Sequence, residues 1–117
     1  MVDLIACLSS GKGTWGHVNR LIQDKEWENI YLITNEFGKE NFHPEKKVEL
    51  ILVDSRMGLK EVRNEIERQL KGKLKTEIAL NIISGTGKEH TAMLGAILRL
   101  GVGIRLMALT KDGVEEI

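Results

Sequence analysis

Two short stretches carry most of the residues able to do chemistry. The first runs Ser9-Ser10-Gly11-Lys12-Gly13-Thr14-Trp15-Gly16 and the second Ser84-Gly85-Thr86-Gly87-Lys88, and both combine hydroxyls, glycines and a lysine. Glycine lets the backbone turn tightly and approach a phosphate closely. A helix that follows then offers unpaired N–H groups and the positive end of its dipole. The candidate ligand-binding residues are therefore Ser9, Ser10, Gly11, Lys12, Gly13 and Thr14 on one loop, with Ser84, Gly85, Thr86, Gly87, Lys88 and the nearby His90 on the other. No metal site and no cofactor are expected, because three scattered histidines and a single cysteine do not form a ligand set.

Gly11 to Gly16 formally matches G-x-G-x-x-G, and Glu36 follows where a dinucleotide domain places its ribose-binding acid, about 20 residues on. Two features oppose that cofactor. Ser9-Ser10 puts a polar pair between the apolar run and the first glycine, and the chain lacks room for a substrate domain. A Walker A loop is excluded, since neither Gly11-Lys12-Gly13 nor Gly87-Lys88-Glu89 has Ser or Thr after its Gly-Lys. Taken singly, each loop also fits ordinary turn and N-cap chemistry.

The elements that must position these loops alternate between strand and helix. Strands are expected over Val2 to Leu8, Ile30 to Thr34, Val48 to Val53, Glu77 to Ile83 and Gly101 to Leu109, with Val114 to Ile117 returning as an antiparallel edge strand. Thr14 to Gln23 reads as a helix with Trp15, Val18, Leu21 and Ile22 on one face; Leu59, Val62, Ile66 and Leu70 mark a second, and Lys88 to Leu100 a third. Asn35 to Lys47 reads as a loop with one helical turn at most. Continuous apolar strands suggest burial on both faces. The expected fold is α/β, a Rossmann-like doubly wound, mostly parallel sheet of five to six strands, as one domain over residues 1–117. With strand order 3-2-1-4-5, strands one and four are neighbours and their carboxyl ends form the crevice where ligands bind. Both loops would meet there.

At these residues the chain resembles the CRISPR-associated Rossmann fold (CARF) family of ligand-sensing domains. Asn81-Ile82-Ile83-Ser84-Gly85-Thr86-Gly87-Lys88 is similar to that family's strand-four segment, Leu8-Ser9-Ser10-Gly11 to its first loop, and Leu109-Thr110-Lys111-Asp112-Gly113-Val114 to its closing hairpin. Gly85-Thr86-Gly87 departs from the commonest form of the glycine motif. The resemblance implies a homodimer that binds cyclic oligoadenylate across a two-fold axis and controls an attached effector domain or subunit in antiviral defence. No effector module is present in this sequence, which raises the standing of a metal-independent ring nuclease or of a partner-bound role. In ring cleavage the ribose 2′-hydroxyl would attack the adjacent phosphorus. Lys12 or Lys88 would stabilise the phosphoryl oxygens, and Ser9, Ser10 and Thr86 would position ribose and phosphate. The apolar stretch Ala92 to Leu100 gives weak independent support to a dimer, and a simply buried central helix explains it equally.

His17 and His90 lie in the first turns after the two loops and can titrate near neutral pH; ligand hydrogen bonding or plain exposure is the simpler expectation for each. Trp15 could stack on a base or belong to the core. Cys7, inside the run Leu4 to Leu8, reads as a small buried hydrophobe.

The 117 residues carry 17 basic and 17 acidic side chains, so net charge is zero. A grip on long nucleic acid usually shows a basic excess, and none is expected here. No signal peptide or membrane-length apolar run is evident, and the expectation is a cytoplasmic, soluble protein. Two alternatives remain: a small nucleotide or dinucleotide enzyme domain, and a structural subunit whose glycines only turn corners.

Overall fold

A computed structural model describes all residues 1–117. Its strands are β1 (Asp3–Leu8), β2 (Ile30–Thr34), β3 (Glu49–Leu52), β4 (Glu77–Asn81), β5 (Gly103–Thr110) and β6 (Gly113–Glu116). The helices are α1 (Trp15–Asp24), α2 (Glu36–Asn41), α3 (Leu59–Leu70) and α4 (Gly87–Leu100), and Lys12–Thr14 forms one 3₁₀ turn ahead of α1.

The six strands make one sheet in the order β3-β2-β1-β4-β5-β6. All neighbours are parallel except β5 and β6, which run antiparallel. Central β1 pairs β2 through Leu4↔Ile30 and Leu8↔Thr34, and pairs β4 through Leu4↔Ala79 and Ala6↔Asn81. The chain is thus the doubly wound α/β architecture that strand–helix alternation predicts.

Alternate β1 residues feed two cores. Ile5 and Cys7 pack with Ile33, Ile51, Ile78 and Leu80 under α3 and α4. Leu4, Ala6 and Leu8 pack with Leu32 under the Val18, Leu21 and Ile22 stripe of α1. Burial on both faces explains why β1 and β2 read as continuous apolar runs. Truncating a fully buried Leu or Ile in either layer to Ala is expected to cost about 2–5 kcal/mol.

Local chemistry sets the ends of α4. Thr86 accepts the Glu89 N–H on Oγ1 while the Glu89 carboxylate accepts the Thr86 N–H, a reciprocal capping box, and Gly101 closes the helix at φ 76°. The strands are shorter than the apolar runs suggested. Edge strand β3 covers only Glu49–Leu52, and β4 stops at Asn81, so Ile82 and Ile83 belong to the loop. Asn35 to Lys47 is more ordered than expected: Asn35 accepts the Gly38 N–H and starts the six-residue α2. Gly38 is required there, because a Cβ would stand 1.9 Å from Thr34 Oγ1. No helix is long and apolar enough to cross a membrane.

Candidate functional site

The two glycine-bearing loops meet at the carboxyl ends of β1 and β4, and one bond stitches them together. The Ser9 N–H donates to Ser84 Oγ at 2.9 Å, across 75 residues of sequence. Ser84 is buried, whereas Ser10, Gly11, Lys12, Gly13, Thr86, Gly87 and Lys88 are exposed around it. Ser84 Oγ and the Ser9 amide are thereby used on each other, so these two predicted ligand contacts act first as framework. At the start of α4 the amides of Gly87 and Lys88 precede any intrahelical partner, as first-turn amides must.

The glycines of the two loops differ. Gly85 sits at φ 114°, and a Cβ there would lie 2.7 Å from Cys7 Sγ and 3.0 Å from His90 Nε2. Gly11, Gly13 and Gly16 all have negative φ, and a Cβ on any of them would meet nothing within 4 Å. The first loop therefore turns without any left-handed glycine: its residues Lys12–Thr14 form a 3₁₀ turn. Gly16 lies inside α1 and is exposed, so it does not supply the close helix–strand packing that a dinucleotide fingerprint asks of its third glycine.

Lysines 12 and 88 take different directions. Lys88 Nζ donates to the Ser55 carbonyl at 2.9 Å and also to that of Met57. It straps the β3–α3 loop to α4 rather than lying free over the crevice. Lys12 Nζ stands 5.4 Å from the Phe37 ring centroid and 5.7 Å from that of Trp15, a cation–π arrangement at the crevice rim.

Trp15 is half-buried. It donates its indole N–H to the Ser9 carbonyl at 2.7 Å and packs edge-on against Phe42 at 5.5 Å. It braces the first loop from below.

Both histidines have partners within the fold. His90 Nε2 lies 2.8 Å from the Ser84 carbonyl, which only accepts, so that nitrogen carries a proton. His17 Nε2 accepts from the Leu109 N–H at 3.1 Å and lies 3.3 Å from Asn81 Nδ2. Two donors converging on Nε2 call for a neutral ring protonated at Nδ1, and burial holds His17 below its ordinary pKa of 6.5. His17 links α1 to β5 and to Asn81 at the end of β4. Beneath the second loop, burial foremost, with a smaller contribution from the Glu89 charge, pushes the Cys7 thiol up to about 12. A thiol so held is no nucleophile at neutral pH.

The largest cavity, about 490 Å³, opens beside this crevice, at the carboxyl ends of β2 and β3. Its wall includes Asn35, Glu36, Phe37, Asp54, Ser55 and Arg56. Arg56 grips Asp54 through Nε and Nη2, both at 2.9 Å, and holds that carboxyl at about 2. Of these residues sequence reasoning singled out only Glu36, as a dinucleotide-type acid; Asp54-Ser55 was visible merely as the end of a strand. The order of the strands is the signal that joins them, because β2 and β3 are neighbours and their ends must open side by side.

Compared with protein-family models and with curated proteins, the chain matches none.

Proposed function

We propose that this chain binds a phosphate-bearing, nucleotide-type ligand at the crevice between the loops after β1 and β4. The observation that carries the reading is the Ser9–Ser84 hydrogen bond, which brings both loops to the topological switch point of a doubly wound sheet. The exposed backbone of Gly11 to Gly13 and the first-turn amides of α4 supply donors suited to phosphate oxygens. Lys12 adds a positive charge at the rim.

The resemblance to CARF domains makes cyclic oligoadenylate the first ligand to test and a homodimer the first assembly. Leu98 on α4 is 66% exposed, and Leu106 and Ile117 at the last two strands are exposed beside one another, which suits a second copy. Sedimentation at two concentrations checks the assembly.

Calorimetry and thermal shift with cyclic tetra- and hexa-adenylate, NAD and ATP test the ligand. The expected outcome is a ring-specific rise of several degrees at saturating ligand, from about 2.7 kcal/mol of stabilisation at a hundred times Kd. No response to any nucleotide leaves the structural-subunit reading in its place, and an NAD response lost in Glu36→Ala favours the dinucleotide one. Chromatography of the incubated rings separates binding from cleavage: linear products with a cyclic 2′,3′-phosphate end support a metal-independent ring nuclease, and intact rings confine the function to binding.

A further inference from the structure

The two loops share a support beneath the crevice. His17 lies in the first turn of α1, just after Thr14 closes the first loop, and its ring reaches across to the strands on the side of the second. Nε2 accepts from the Leu109 N–H of β5 at 3.1 Å and lies 3.3 Å from Asn81 Nδ2 at the end of β4. Asn81 is buried and its whole amide is engaged. Nδ2 donates to the Met107 carbonyl at 2.8 Å, and Oδ1 accepts from the Ile83 N–H at 3.3 Å. Ile83 runs directly into Ser84, whose Oγ accepts the Ser9 N–H and so joins the loops.

The Asn81 amide cannot turn over to suit a different partner. A flip would set Oδ1 against the Met107 carbonyl and Nδ2 against the Ile83 N–H, acceptor on acceptor and donor on donor. His17 must therefore present a lone pair at Nε2. A proton there faces two donors, and the ring has to leave. No acid stands ready to hold it in place once charged: burial alone lowers its pKa, with no charge contributing. Arg20 and Asp24 of α1 pair with each other, and Arg105 of β5 pairs with Glu77 and Glu116. Lys12 lies over the Trp15 and Phe37 rings, and Cys7 packs on the opposite face of β1. Asp3, at the other end of β1, is bonded by Asn29. Lys111 and Asp112 in the β5–β6 turn and Glu115 on β6 are exposed.

We propose that His17 is a positioning residue of the ligand crevice: its neutral ring ties the start of α1 to Asn81 and Leu109, and so holds both loops in the arrangement that binds the ligand. The inference rests on the loop reading above, and it adds a regulation which that reading does not contain. A protonated ring lets go of β5 and of the end of β4. Affinity is therefore full while His17 is neutral and is lost as pH falls through its titration, and by linkage the bound ligand resists that protonation.

Titration calorimetry with cyclic tetra-adenylate and with AMP, on the full chain across pH, reads the effect. Wild-type affinity for at least one of them should fall about fivefold or more from about pH 7.5 to about pH 5. His17→Gln keeps a side-chain oxygen able to accept and cannot titrate. It should bind within about threefold of wild type at the higher pH and lose most of the fall. His17→Ala leaves the Leu109 N–H unpaired and should bind about fivefold more weakly at the higher pH. In the ligand-free protein, the amide signals of Leu109, Ile83 and Ser84 should follow the His17 ring with one midpoint in nitrogen–proton spectra. A role confined to packing of α1 would leave the Ser84 amide unmoved. A fall as steep in His17→Gln as in wild type, or a Ser84 amide that ignores the ring, overturns the role of His17 and leaves the loop site standing. Binding of neither compound at any pH overturns the loop reading and this one with it.

Discussion

The loops after β1 and β4 are built from nearly the same residues and solve opposite physical problems. Around Gly85 the backbone is at φ 114°, Cys7, His90 and Glu89 crowd the missing side chain, and a capping box closes over it. Around Gly11 and Gly13 no φ is positive, and a Cβ would meet open space. The second loop is a fixed corner whose glycine is demanded by the fold. The first is an open turn whose glycines the fold does not need. Glycine content alone says nothing about which of the two a loop is; the neighbours brought in by the sheet decide.

The sharpest way to break this contrast is Gly85→Ala. Left-handed strain combines with a methyl pressed on Cys7 Sγ, and the expected loss is about 2–4 kcal/mol in denaturant unfolding. Because strain and collision are separable, Cys7→Ala in the same chain should return only the collision part, so the double variant stays less stable than Cys7→Ala alone. A fully tolerated Gly85→Ala would remove the fixed corner from the comparison. Next in size is Glu89→Ala. The buried carboxylate accepts the Thr86 N–H at 2.8 Å, so its loss leaves that donor unpaired and reduces the capping box to its Thr86 half, costing about 1–2 kcal/mol.

The strand order was legible because continuous apolar runs alternate with a 3.6-residue period, and those two signals come from burial itself. Boundaries were less so: at the sheet's edge β3 loses its second partner, and its apolar run no longer marks where pairing ends. Position was readable where topology carries it, as for the two loops. It was not readable where one side chain's reach decides. Lys88 has the same sequence context as a phosphate ligand, yet the β3–α3 loop passes within its reach and takes the ammonium. Gly38 is marked by no local motif, since what it avoids is the Thr34 hydroxyl, held in place by donating to the Leu8 carbonyl at 2.7 Å.

A weaker effect belongs to the α1 side of the sheet. His17 is neutral in the fold and its pKa lies below 6.5, whereas the unfolded chain titrates near the ordinary value. The unfolded state therefore binds more protons as pH falls, and the linkage term is favourable above about pH 6.5 and is lost progressively as pH drops from there toward the lowered folded value. Stability of the wild-type protein should decline across that window. In His17→Gln, whose amide can still accept from the Leu109 N–H, the decline should flatten; an unchanged slope would show that other groups set it.

The smallest stability change belongs to Gly13→Ala, and it bears most directly on function. The residue has negative φ within a 3₁₀ turn and open space where the methyl would go, so stability should move by no more than about 0.5 kcal/mol. The space that makes the methyl harmless to the fold is the space a phosphate would occupy to reach the loop amides. Nucleotide affinity should therefore fall while unfolding is unchanged, the reverse of the pattern at Gly85, where stability falls first. An alanine at position 13 that leaves ring binding intact would mean that ligand contacts come from the α4 side alone.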